Sequence, residues 1–512
     1  MTTSFQSDGP NFLGHPKPLR GLFLSELWER FSLYGIRPLL ILYMSAMTIQ
    51  GGLGLDRSTA AAIVGIFAGS MYLMTIFGGW IADRWLGQAR AVWYGSLLIA
   101  IGHLSIALTA WFDSLFFYLG LVFIVLGTGL FKTCISVIVG TLYSAQDSRR
   151  DAGFSIFYMG INLGAFLAPL LTGLLVQNYG WHIGFGIGGI GMLISLLTFR
   201  FISIPELNTF NQAHQIQNTW NSPTHPNTNA PKIVTGFLVF CTAVIILVYF
   251  NIIKINPVIL ATYLTVFICT AVILYFAYLL LFTKTTIAEK KQLIICFILL
   301  LVAALFWSTF EQQPTSFNLF AQDFTDRNIA GFEIPTVWFQ ALNPIFIILC
   351  APIFAWLWVK LGKSNQDPSY ISKFIFALIF AAIGFTIMIF ASQSILANNS
   401  ATVSPLWIVA SLFFLTLGEL CLSPVGLSTM TKLAPNFLRG QVMGLWFTAV
   451  ALGNLVAGLI GGHVATDSIQ NLPSLFMRCV FALLLGAFIL FLLKKPILKL
   501  ISDSENQSST VK

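Results

Sequence analysis

The stretch ELWERFSLYG, Glu26 to Gly35, decides the fold. It opens a long apolar run that ends near Met47, yet it holds two carboxylates and a guanidinium, and Arg37 follows. A charge at mid-bilayer costs at least about 2.5–3.5 kcal/mol, so charges in a spanning helix must be paired, wetted or used. The spacing puts them on one face. Glu26, Glu29, Arg30, Leu33, Tyr34 and Arg37 fall at i, i+3, i+4, i+7, i+8 and i+11, a single helical stripe. Glu26 and Arg30, one turn apart, are placed to pair, which leaves Glu29 and Arg37 to seek partners on other helices.

The chain around this stretch is apolar throughout. Of its 512 residues 57% are hydrophobic and 9% charged, with a mean hydropathy of +0.83. A soluble chain carries about 25% charged residues, so this composition predicts an all-α membrane protein of many spans. Apolar runs of roughly 20 residues exclude a β-barrel, whose strands are short and alternate. The net charge of +8 then bears on topology rather than on nucleic acid, because no basic cluster is interleaved with aromatics. The seven cysteines lie at uneven spacing in apolar segments, which is neither a disulfide nor a zinc framework. The polar N-terminus lacks the apolar core of a signal peptide and is expected to stay uncleaved.

Reading apolar runs between polar breaks gives fourteen spans: 21–47, 59–82, 89–111, 115–143, 152–177, 183–203, 233–253, 258–283, 290–320, 335–360, 371–394, 403–432, 441–465 and 473–495. With the N-terminus inside, the basic residues gather in the inner segments and the outer loops keep only Arg57, Lys254 and Arg327. That asymmetry predicts cytoplasmic ends. Residues 204–232 are polar and contain Pro205, Pro223, Pro226 and Pro231. The expected organisation is a six-helix bundle over 1–203, a polar linker over 204–232, an inserted hairpin over 233–287, a second six-helix bundle over 288–500 and a cytoplasmic tail over 501–512. Two halves of six spans suggest a transporter with its site at their interface. Three more ionisable residues lie deep in spans of both halves: Lys132, Glu311 and Glu419. Folding salt bridges are the competing explanation, strongest for Glu26 with Arg30.

The same residues carry a resemblance. Glu26 to Arg30, followed by Phe31 and Tyr34-Gly35, resembles the ExxER signature of the proton-dependent oligopeptide transporter family within the major facilitator superfamily. GGWIADRWLG (Gly78 to Gly87), FSIFYMGINLGAFLAP (Phe154 to Pro169), FWSTFEQQ (Phe306 to Gln313), FQALNPIF (Phe339 to Phe346), GELCLSPVGLSTMTKLAP (Gly418 to Pro435) and GLWFTAVALGN (Gly444 to Asn454) resemble further motifs of that family, in order along nearly the whole chain.

The resemblance implies a major facilitator fold with an extra two-helix hairpin. It implies a proton-coupled symporter of di- and tripeptides that works by alternating access, as a monomer in the cytoplasmic (inner) membrane, with no cofactor and no nucleic-acid partner. It also implies roles by position. Arg30, Tyr34 and Lys132 receive the peptide carboxylate; Glu419, Asn162 and Asn343 receive its amine. Trp307, Tyr72, Trp446 and Phe447 line side-chain pockets. Arg37 with Glu311, and Lys132 with Glu419, form gate salt bridges. Glu26, Glu29, Arg30 and Glu311 couple protons. The chemistry suits the residues, for a dipeptide is a zwitterion and a site with one cationic and one anionic end matches it.

The residues also allow plainer readings. Asn162 and Asn343 could be hydrogen-bond glue between helices, and Asn343-Pro344 could mark a kink. Trp446 and Phe447, being adjacent, diverge by about 100° on a helix. The chain departs from the family pattern at Leu33, at Thr133-Cys134 and at Pro314, whose missing amide is expected to stiffen or kink its helix. Rival functions are carriage of nitrate, an amino acid or a drug-like solute on the same fold, and a membrane peptide sensor. No HExxH, GxSxG or GxxxxGK[ST] pattern points to an enzyme or a nucleotide pump.

Overall fold

The computed structural model describes residues 12–144, 147, 149–214, 220–283, 285–398, 401–435, 438–466 and 469–509. It is almost wholly helical. Among the described residues, thirteen helical stretches are long and apolar enough to cross a membrane. Helix α1 (Pro18–Ser45), which carries the charge stripe, makes the fourteenth. Each predicted apolar run corresponds to one of them.

The chain forms two compact units. The first comprises Met1–Gly54 and Ser70–Asn256. It holds α1, the second half of α2 (Arg57–Ile81), α3 (Gln88–Leu108), α4 (Leu115–Thr141), α5 (Arg150–Tyr179), α6 (Trp181–Thr198), α7 (Ile204–Ala213) and α8 (Ala230–Tyr249). Its helices touch through small residues. Gly164 of α5 lies against α1 so closely that a Cβ there would stand 2.2 Å from the Leu27 carbonyl, and one at Gly78 of α2 would stand 2.0 Å from the Gly129 carbonyl of α4. The apolar glycine-rich faces of α2 and α5 thus set the distances at which α4 and α1 present their charges.

Residues 204–232, expected as a linker, are built structure where they are described. The π-helical turn Phe199–Ser203 leads α6 into α7, which is tied to the start of α1 by an Arg20–Glu206 ion pair. Trp220 is buried and its indole donates to Thr141 Oγ1 at 2.8 Å. The segment then runs along the α2–α3 turn: the Ala89 amide donates to the Trp220 carbonyl (2.9 Å), the His225 amide to Asp83 (2.9 Å) and the Asn227 amide to Arg84 (3.0 Å). Gly87 turns there with φ +79°, and a side chain on it would strike the Asn221–Ser222 backbone.

The second unit comprises Leu55–Gly69 and Pro257–Lys512. It holds the first turns of α2, then α9 (Pro257–Leu281), α10 (Ile287–Phe310), α11 (Asn318–Phe324), α12 (Leu342–Lys363), α13 (Tyr370–Asn398), α14 (Leu406–Leu433), α15 (Arg439–Thr466) and α16 (Leu472–Ser509). A short hairpin of β1 (Asn328–Ile329) and β2 (Phe332–Glu333) follows α11. The units do not follow the boundaries expected at 203, 232 and 287. The beginning of α2 packs on α15, where Gly65 and Gly458 meet backbone to backbone. The inserted pair is also divided. Helix α8 belongs to the first unit, with Phe237 stacked on Phe77 at 6.4 Å, and α9 to the second, with the Tyr275 hydroxyl donating to Gln441. Of α8 only Ala230 is buried, so its apolar side chains need lipid around them. Helix α16 continues through 501–509, into the expected tail.

Candidate functional site

In the first unit the charge stripe of α1 folds onto itself. Arg30 Nε lies 2.9 Å from Glu26 Oε1 and 2.6 Å from Glu29 Oε2, and all three side chains are at most 4% exposed. One guanidinium therefore serves two carboxylates, and Glu29, expected to look to another helix, finds a partner beside it on α1. A second cation balances the group. Lys132 of α4 stands within electrostatic reach of both carboxylates. Its ammonium sits 4.0 Å from the ring centroid of Tyr72 on α2, a cation–π contact. The hydroxyls of Tyr34 and Tyr72 lie within electrostatic reach of Arg30, and Arg37 continues the stripe, half-buried. Asn162 of α5 is buried, and its amide donates to the Tyr158 carbonyl of its own helix (3.0 Å) rather than across an interface. Leu33 of α1 is buried. Helix α4 runs unbroken through Thr133-Cys134.

The second unit holds its carboxylate differently. Asn343 of α12 donates its side-chain amide to Glu419 Oε2 of α14 at 2.9 Å and to Thr416 Oγ1 at 3.1 Å. Thr416 passes its own proton to the Leu412 carbonyl (2.8 Å). Asn343 is thus a clamp between helices. Pro344 follows in the first turn of α12, where an absent amide leaves no bond unmade, so it marks a helix start and not a kink. Glu311 ends α10 and lies within electrostatic reach of Glu419. Trp307, one turn earlier, is buried against Gly453 of α15, where any Cβ would overlap it. Its indole N–H has no hydrogen-bond partner among the described residues. Trp446 and Phe447 do diverge: Trp446 is buried against Gly426 and Phe374 in the interior of this unit, while Phe447 is half-buried. Pro314, expected to stiffen or kink its helix, lies where the span passes from α10 to α11 through the π-helical turn Gln313–Phe317.

One ionic pair was not legible from spacing. Arg57, read as an outer-loop charge, pairs with Asp323 of α11, with a second N–H···O contact of 3.1 Å, both in the second unit. The two are too far apart in sequence for helical periodicity to connect them.

The comparisons with known proteins agree on one family. The POT family model matches residues 89–473. The chain is 57% identical over 509 residues to the protein named Peptide transporter YePEPT of Yersinia enterocolitica subsp. palearctica, covering 99% of this chain and 100% of that one. It is 36% identical over 511 residues to the Di-/tripeptide transporter of Lactococcus lactis subsp. cremoris, covering 96% and 98%. Among solved structures, the peptide transporter POT in complex with sulfate superposes with a TM-score of 0.86 at 38% identity, covering 96% of this chain and 97% of that one.

Proposed function

The chain belongs to the POT family of multi-span membrane transporters, and we propose that it is a proton-coupled symporter that imports di- and tripeptides by alternating access. The observation that carries this reading is the contrast in how the two units hold charge. A group of two cations and two carboxylates, buried Arg30, Glu26 and Glu29 with half-buried Lys132, stands in one; a carboxylate held by a neutral amide, Glu419 with Asn343, stands in the other. Cations suit a peptide's carboxylate and a lone carboxylate suits its ammonium.

In this reading Arg30, Tyr34 and Lys132 take the carboxylate, and Glu419, Asn343 and Asn162 take the amine. Tyr72, Trp307, Trp446 and Phe447 shape the side-chain pockets. Arg37 with Glu311, and Lys132 with Glu419, are the pairs that break and form as access alternates. Glu26, Glu29, Arg30 and Glu311 carry the proton coupling, because moving a cation toward or away from a buried carboxylate changes its hold on a proton. The protein works as a monomer in the cytoplasmic membrane with both ends inside. It needs no cofactor and carries out no catalysis.

The test is uptake of labelled dialanine into liposomes under an inward proton gradient, with unlabelled dipeptide, tripeptide, free alanine and nitrate as competitors. Gradient-dependent uptake blocked by the peptides alone is expected. Block by nitrate or free alanine would move the substrate to another small solute, and binding without flux would make the protein a sensor.

A further inference from the structure

The break at Pro314 has a side chain built into it. At the end of α10 the Glu311 amide still reaches the Trp307 carbonyl four residues back (3.0 Å), but the Gln312 amide turns to Thr309, three residues back (3.2 Å). That shift leaves the Ser308 carbonyl open in a buried place. The side-chain amide of Gln312 donates to it at 3.2 Å. On the far side of the break the Ser316 hydroxyl donates to the oxygen of the same side chain at 3.1 Å. Gln312 is 0% exposed, and its amide also faces Cys479 Sγ of α16 at 3.7 Å. A second glutamine completes the repair: Gln340 Nε2 donates to the Gln313 carbonyl at 2.8 Å. Buried polar groups left open are costly, so a break in a spanning helix persists only where something fills its open bonds.

We propose that Gln312 is a positioning residue, a side-chain staple across the broken α10–α11 span that fixes the turn carrying Glu311. The inference rests on the transport reading above for its functional consequence. The ends of a broken helix are where a span bends, and one amide gripping both sides sets the angle between them. Methionine has nearly the same shape and can make neither bond.

The test combines hydrogen–deuterium exchange with transport kinetics on the full-length protein. In Gln312→Met, the amides of residues 311–317 are expected to exchange at least ~10-fold faster, while those of α13 keep their protection. Dialanine uptake is expected to lose ~10-fold or more in Vmax with KM within about twofold, because the peptide contacts remain and the moving turn is misplaced. Ser316→Ala, which removes one of the two bonds, should show the same signature more weakly. Unchanged exchange at 311–317 would overturn the staple. Faster exchange with unchanged Vmax would overturn its positioning role. Were Gln312→Met to lose protection everywhere, Ser316→Ala decides by the same two readings. A wild-type protein that carries no peptide breaks the functional reading, while the exchange data still judge the staple.

Discussion

The two units solve the problem of a carboxylate in a membrane in opposite ways. On α1, Glu26 and Glu29 share a guanidinium on the same helix and have an ammonium from α4 within electrostatic reach. On α14, Glu419 accepts a hydrogen bond from the neutral amide of Asn343. The first arrangement is mutually dependent, for each charge is tolerable only while the others stand. The second has no cation at hydrogen-bond distance of Glu419 among the described residues, only a neutral donor and, within electrostatic reach, the Glu311 carboxylate. Removing a charge should therefore damage the fold in the first unit and the function in the second.

The largest effect expected from that contrast is at Arg30. Arg30→Met leaves two carboxylates buried beside each other and is predicted to destabilise the protein by about 3–5 kcal/mol. Thermal unfolding in detergent would read it. Arg30→Lys keeps the charge but loses the Nε that lies against both carboxylates, and should fall between wild type and methionine. Glu419→Gln is predicted to stay within about 1 kcal/mol of wild type, since an amide accepts from Asn343 much as a carboxylate does, while gradient-driven dialanine uptake is lost. Equal stability losses for Arg30→Met and Glu419→Gln would erase the contrast.

The Asn343 clamp gives an intermediate effect and a sharper probe. Asn343→Leu leaves Glu419 and the Thr416 hydroxyl without their donor and should cost about 1–3 kcal/mol. In the Glu419→Gln background the cost should shrink, because a neutral partner suffers less from losing it. A double-mutant cycle measures the difference. Additive effects would mean that Asn343 supports the α12–α14 packing and not the carboxylate. In the first unit the parallel probe is Tyr72→Leu, which removes the ring under the Lys132 ammonium and should cost about 0.5–2 kcal/mol.

These regions also differ in how readable they were. The Glu26–Arg30 pair on α1 was legible because the two lie one turn apart and periodicity reports on such neighbours, whereas the pairing of Glu29 with the adjacent Arg30 was not. The fourteen spans were legible because an apolar run of about 20 residues is itself a local feature. Asn343 could be singled out as a polar residue in an apolar run, but its partner lies 76 residues away, and no local pattern encodes a tertiary contact. The Arg57–Asp323 pair and the Trp220–Thr141 bond were invisible on the same ground. Composition marked the segment around Trp220 as a linker but not its docking, because proline and asparagine mark loops whether or not a loop is docked. Pro314 marked its helix for stiffening or a kink, since the missing amide is local, but not for the π-helical turn found there. Gln312 beside it gave no sign that its side chain would repair the break, because that depends on which carbonyl the break leaves open.

A third region, outside the membrane, tests the same principle where water lowers the stakes. Just before α1 the buried His15 imidazole shares a 3.0 Å hydrogen bond with the Tyr143 hydroxyl beyond the end of α4. It also faces the Asp147–Arg149 pair, bound at 2.9 Å. Burial, and then the charge of Arg149, push the imidazole below its ordinary value of 6.5, so the folded protein prefers it neutral. The hydrogen bond from Arg149 likewise holds the Asp147 carboxyl below 3.8, which keeps that partner ionised throughout the window. A depressed imidazole contributes its stability in full above pH 6.5 and loses it as the pH falls through and below that value. The contribution should be about 1 kcal/mol or less, the worth of one hydrogen bond. It is isolated by comparing wild type with His15→Gln in unfolding experiments from pH 8 to pH 5. The difference between the two should shrink on acidification, because glutamine cannot take up the proton that disfavours the wild-type contact. A difference that grows on acidification would mean that the imidazole is held as a cation in the folded state, and that this junction follows the compensated pattern of α1 instead.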